Sequence, residues 1–160
     1  MTVRPVLPRV DLRRRAGMLR RLRNAPERVA NAARLAGATQ VEPGSWTAQQ
    51  MVLHLVAVEA AVFQGRLRDL AERTNPHWSW VEPGPAPAAP DETIGQSSDR
   101  FRAARAATLD TVGRLDPAGW ERAGVHATVG RLDVTGLLAL AADHDADHLR
   151  ALNRLARRTR

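Results

Sequence analysis

No cysteine occurs anywhere in the chain. That absence excludes disulfides, thiolate metal ligands and a cysteine nucleophile together. Lysine and tyrosine are absent too, so all 24 basic residues are arginine. With alanine also abundant, this reads as a GC-rich coding bias rather than as a function for arginine itself. With only four Trp and two Phe, aliphatic and alanine packing must dominate any core. No apolar run approaches the ~20 residues a membrane-spanning helix needs. The start MTVRPVLPRVDLRRR is basic, but no apolar segment of the secretory kind follows it. A cytoplasmic, non-membrane protein is the expectation.

What is present begins with charge. Residues 1–34 hold ten Arg against Asp11 and Glu27, while residues 35–160 are nearly balanced, so the formal +7 is an N-terminal feature. No DNA- or RNA-reading motif accompanies it, and nucleic acid is not the expected partner. The 160 residues suffice for one domain, 1–160, with a continuous core.

The chain reads as four long amphipathic helices and no convincing strand. Residues 1–10, with Pro5 and Pro8, form an irregular lead-in. From Asp11, Leu12, Leu19, Leu22, Val29, Ala33 and Leu35 make an inward stripe, kinked or broken near Asn24–Pro26 because proline removes a helix bond and clashes with the preceding turn. Gly37 ends this helix. Thr47 and Gln50 form a capping box for a second helix, which runs to about Arg73 with Met51, His54, Leu55, Val58 and Val62 on one face. Asp91 caps a third, 92–115, whose stripe of Ile94, Ser98, Phe101, Arg105, Thr108, Val112 and Leu115 includes a charge. Asp133 caps the fourth, about 134–157. The connections 74–90 and 120–132 are long; the first holds five of the ten prolines, and the second suggests a short extended pair. Four such stripes are buried most simply in an all-α four-helix bundle with long connections between helices 2 and 3 and between 3 and 4.

Within that scaffold, His144 and His148 stand one helical turn apart on the inward face that carries Leu137, Leu138, Ala141, Leu152 and Leu155. An i, i+4 histidine pair gives a divalent metal two nitrogen ligands from one helix. His54, on the inward stripe of helix 2, is the candidate third. Three neutral imidazoles suit Zn, Ni, Fe or Cu. They leave a position for a water whose pKa falls to ~7, or for the thiolate of a thiol cofactor. Asp143, Asp145 and Asp147 are candidates to orient the imidazoles, although one helix cannot turn all three inward. Glu59 has either a site role or a surface ion pair. Arg105 either lines an anion pocket or pairs with a carboxylate. His77 and His126 fall in loops and are expected to face solvent, with His126 kept as a further site candidate.

These residues together resemble the DinB-like superfamily of metal-binding four-helix bundles. The resemblance lies in WTAQQMVLHLVAVE (46–59), RAATLDTVGRL (105–115) and WERAGVHATVGRLDVTGLLALAADHDADH (120–148), and covers about residues 12–157. Asp133 stands where Thr or Ser is frequent, and Ala127 where proline is common; neither touches the histidines. The resemblance implies a divalent metal on His54, His144 and His148, with Zn first and Ni or Fe as alternatives. It also implies a frequent homodimer and a small-molecule substrate. The superfamily includes S-transferases and isomerases that use mycothiol or bacillithiol. Two functions stay open: a metal-dependent enzyme activating a thiol or water, S-transferase-like or hydrolase-like, and a non-enzymatic ligand-binding or stress-response bundle.

Overall fold

The computed structural model describes residues 9–38, 40 and 44–158. Residues 1–8 of the expected lead-in lie outside these, as does Pro43. Helix α1 runs Arg9–Ala36 without interruption. Of the kink or break expected near Pro26, the break does not occur. A proline inside a helix leaves the carbonyl four residues earlier without its donor. Here that carbonyl is Leu22 O, and it accepts instead from Arg105 Nη1 at 3.1 Å. A donor from another helix thus replaces the missing bond. Met18, Leu22, Val29 and Ala33 face inward, but Leu12 and Leu35 are exposed at 48% and 54%. The inward stripe is therefore narrower than expected. Gly37, at φ +61°, closes the helix by donating to Ala33 O.

The second long rod is α2 (Ala48–Val58), a π-helical segment (Glu59–Gln64) and α3 (Gly65–Glu72). Its expected capping box is present, with Thr47 accepting from Gln50 N and Gln50 Oε1 from Thr47 N. Along the rod, Val58, Val62, Arg66 and Leu70 are all buried. A strict four-residue repeat drifts about 40° per step around an α-helix. The wider π turn takes up that drift and holds one face inward.

Helix α4 (Ile94–Gly113) carries the expected stripe, with Phe101, Arg105, Thr108 and Val112 buried. Its cap differs from expectation. Thr93 Oγ1 accepts from Gln96 N, completing a second capping box, whereas Asp91 lies two residues upstream at φ +59°. A short α5 (Pro117–Glu121) leads to β2 (Ala123–His126), β3 (Gly130–Asp133) and α6 (Val134–Arg158). Asp133 caps α6, accepting from Gly136 N at 2.7 Å.

The extended pair suggested for 120–132 is the antiparallel β2–β3 ladder. A strand absent from the sequence reading, β1 (His77–Trp78), joins it in parallel, giving the order β1-β2-β3. Gly124 permits this approach, since a Cβ there would come within 2.6 Å of Pro76 O. Through β1 the long 74–90 connection is tied to the segment before α6.

Helix α1 packs chiefly on α6 and α4, and α2 on α4. Two apolar clusters result. One is built around Leu22, Phe63, Leu137 and Leu138. The other is built around Val29, Val52, Leu55, Phe101, Leu152 and Leu155. No described helix is long and apolar enough to cross a membrane.

The cap assignment is testable by thermal or urea unfolding. Thr93→Ala should cost about 1 kcal/mol, whereas Asp91→Gly, which relieves a left-handed backbone, should cost nothing or stabilise slightly. Equal losses in both variants would return the cap to Asp91.

Candidate metal centre

Between the two apolar clusters lies a polar layer. On α6, His144 and His148 meet edge to face with ring centroids 4.5 Å apart. His54 reaches them from α2, its centroid 5.2 Å from His144 and 4.7 Å from His148. The Nε2 atoms of His54 and His144 are 3.2 Å apart. Glu82, from the 74–90 connection, places Oε1 3.3 Å from His54 Nε2 and 3.8 Å from His144 Nε2. One ligand atom from each of His54, Glu82, His144 and His148 lies within 4.8 Å of the others. His54 is fully buried, with the Trp46 ring 4.8 Å from its own.

The hydrogen bonding shows which nitrogen is free. His54 Nδ1 donates to Pro83 O at 2.7 Å. That fixes the tautomer and turns the Nε2 lone pair into the cluster. His144 Nδ1 is buried and has no partner. Burial pushes the pKa of His54 down, against the pull of Pro83 O. Burial, with His144 and His54 beside it, pushes His148 down to about 4. Three imidazoles packed this closely, with a carboxylate alongside, are a donor set that fits a divalent cation.

Behind the cluster is a buried ion network. Arg105 Nε and Nη2 donate to Glu59 at 2.9 Å each. Its Nη1 and Nη2 donate to Asp145 at 2.7 and 3.0 Å. With Nη1 also bonded to Leu22 O, all five guanidinium protons are used. Burial opposes the Arg105 charge, but Glu59 and Asp145 outweigh it and hold its pKa above the usual range. Burial holds the Asp145 carboxyl above its usual range, against the opposing pull of Arg105.

The model of the DinB superfamily matches residues 12–152. The chain belongs to the DinB superfamily. The fold is also that of YfiT from Bacillus subtilis, described as a probable metal-dependent hydrolase with an unusual four-helix bundle topology. The TM-score is 0.70 at 16% identity, over 99% of this chain and 93% of that one. No curated protein sequence matches the chain.

In this DinB-superfamily chain the three expected histidines do converge. Other expectations are corrected. Glu59 is not at the surface but in the buried pair with Arg105, and so belongs to the network rather than to the histidine cluster. Arg105 is the structural partner of two carboxylates and not the wall of an anion pocket. None of the three aspartates bonds an imidazole: Asp145 is held by Arg105, Asp143 by Arg21 and Asp147 by Arg150. His77 is exposed as expected, but His126 is buried. His126 Nδ1 accepts from Thr128 N, and its Nε2 is left without a partner, with the Trp80 ring edge-on at 6.1 Å. β2 places it under the 74–90 connection, which no local periodicity reports. Glu82 was missed altogether. It is the only acidic residue between 74 and 90, which was the available signal.

Two outcomes follow. Histidines with depressed pKa values bind fewer protons in the folded than in the unfolded state. Stability of chelator-treated protein should therefore be fully present above pH ~6.5 and fall toward pH 4, with a slope approaching about 1.4 kcal/mol per pH unit for each ring. A His148→Gln variant should flatten the curve, and a pH-independent melting temperature over this range would contradict the burial argument. Arg105→Met strands two buried carboxylates and should cost about 3–5 kcal/mol. Adding Glu59→Gln and Asp145→Asn to that variant should recover part of the loss in the same unfolding assay.

Proposed function

We propose that this chain is a metal-dependent enzyme acting hydrolytically on a small molecule, with His54, His144 and His148 holding one divalent cation. The observation that carries the reading is the convergence of three imidazoles from two helices on one point, with the Glu82 carboxylate beside it. Zinc suits this mixed nitrogen and oxygen donor set best, with nickel and iron as alternatives. A cation bound there supplies Lewis acidity, which lowers the pKa of water or of a thiol and polarises a carbonyl. The hydrolytic description of YfiT, a protein of the same fold, supports the choice of water.

The chain's own groups do the rest. Pro83 O holds His54 in the tautomer whose Nε2 is free. Glu82, with its side chain about half exposed, sits within reach of the same point and serves as the base that takes and returns a proton. Trp46 and Phe63 pack against the His54 and His144 rings and limit water on those sides. Since the chain has no cysteine, any thiol chemistry would need an external low-molecular-weight thiol, such as mycothiol or bacillithiol.

The test is elemental analysis of untagged protein after chelation and reloading with Zn, Ni, Fe and Mn, followed by a screen of small aryl esters and anilides with and without added thiol. We expect about one cation per chain, lost in His148→Ala. Glu82→Gln should keep the cation and lose turnover by about 100-fold or more. No cation under any loading condition would overturn the reading. Loss of the cation in Glu82→Gln would make Glu82 a ligand instead of a base.

A further inference from the structure

Beside the histidine cluster, a cavity of about 180 Å³ opens between the helix 2 rod, α6 and the 74–90 connection. That is room for roughly six waters, or a short organic chain. Val62, Phe63, Trp80 and Leu140 make its walls largely apolar, and His144 stands in its lining. The one cation in the lining is Arg66.

Arg66 is buried, with 8% exposure. Its Nη2 donates to Ser79 O at 2.9 Å and its guanidinium lies 5.6 Å from the centre of the Trp78 ring, but among the described residues no carboxylate is in ion-pair distance of it. Arg105, also well buried, spends all five donors on partners, two of them carboxylates. The surrounding groups confirm the imbalance. Asp69, three residues on, is turned to Trp78 Nε1 and Arg73. Three carboxylates share the lining with Arg66, but Asp143 and Asp147 are exposed and offset by Arg21 and Arg150. Glu82 faces His54. Burial and the Arg66 charge push the pKa of His126, on the far side, below its usual value. A buried cation without a counter-charge is costly, and apolar walls strengthen its attraction for an anion. A guanidinium fork matches a planar carboxylate in particular.

We infer that this cavity selects substrates carrying a carboxylate on a short apolar body, with Arg66 as the residue that binds the carboxylate and thereby sets specificity. The inference rests on the reading of the histidine cluster as the reacting centre, because it places the apolar body between Arg66 and His144.

The experiment is calorimetric titration of hexanoate and of hexanamide, two probes of matching size, into zinc-loaded and into chelator-stripped full-length protein. We expect hexanoate to bind at least tenfold more tightly than hexanamide in both forms. Arg66→Met should erase that preference without changing metal content. Arg66→Lys, which keeps the charge but not the fork, should retain part of it. Should Arg66→Met fail to fold by circular dichroism, the wild-type pair and Arg66→Lys decide the matter. Equal affinities, no hexanoate binding, or a preference unchanged in the Arg66 variants would overturn the inference. A preference that disappears on stripping the metal would place the anion at the cation and overturn it as well. A chain that never takes up metal yet keeps the preference would defeat the enzyme reading and leave Arg66 as the carboxylate-binding residue of the cavity.

Discussion

One guanidinium governs how the helices meet. Arg105 projects from α4 and bonds α1 through Leu22 O, the helix 2 rod through Glu59, and α6 through Asp145. A charge at this depth is tolerable only if every proton finds an acceptor. The rotation of each helix about its axis is therefore constrained by hydrogen-bond geometry, which apolar contact alone constrains only loosely. Asp145 follows His144 directly, so pinning one places the other. Glu59 lies five residues past His54, which turns the two side chains about 140° apart on a helix. The rod can then present Glu59 to α4 and His54 to α6. The network that orders the bundle thus also aims the histidines.

The same arrangement explains why the candidate centre lies in mid-bundle. Apolar side chains cluster at both ends, and the polar groups that interrupt them are collected into one layer where they can satisfy one another. Most do. The buried atoms left over are the informative ones. His144 Nδ1 lacks a partner, and the facing Nε2 atoms of His54 and His144 have between them only each other and Glu82. The proline-rich 74–90 connection completes the layer from outside. β1 anchors it at one end, Ala86 N bonds Leu53 O near the other, and between them Glu82 and Pro83 both meet the His54 ring. Prolines that hinder regular structure here shape a clamp.

The helices themselves were legible in the chain because their determinants are local. Periodicity placed His54, His144, His148 and Arg105 on inward faces, and the caps at Thr47 and Asp133 needed only a side chain and an amide three residues on. Where a local rule depended on a distant group it misled. Pro26 does not break α1, since Arg105 takes up the carbonyl that the proline abandons. Thr93 rather than Asp91 caps α4, a choice between two competent residues that the path of the preceding loop decides.

By itself, then, the sequence determined the number of long helices, the face each buries, and three imidazoles that had to point inward. Periodicity and capping act over a few residues, and they operate before any tertiary contact exists. The tertiary structure alone decided who meets whom: that the three histidines converge, that Glu82 joins them, that Arg105 is fully paired while Arg66 faces a cavity, and that His126 is buried. Those outcomes depend on the angles between helices and on the course of a non-periodic loop. Both are set by the summed packing and charge satisfaction of the whole chain, which no short stretch of it contains.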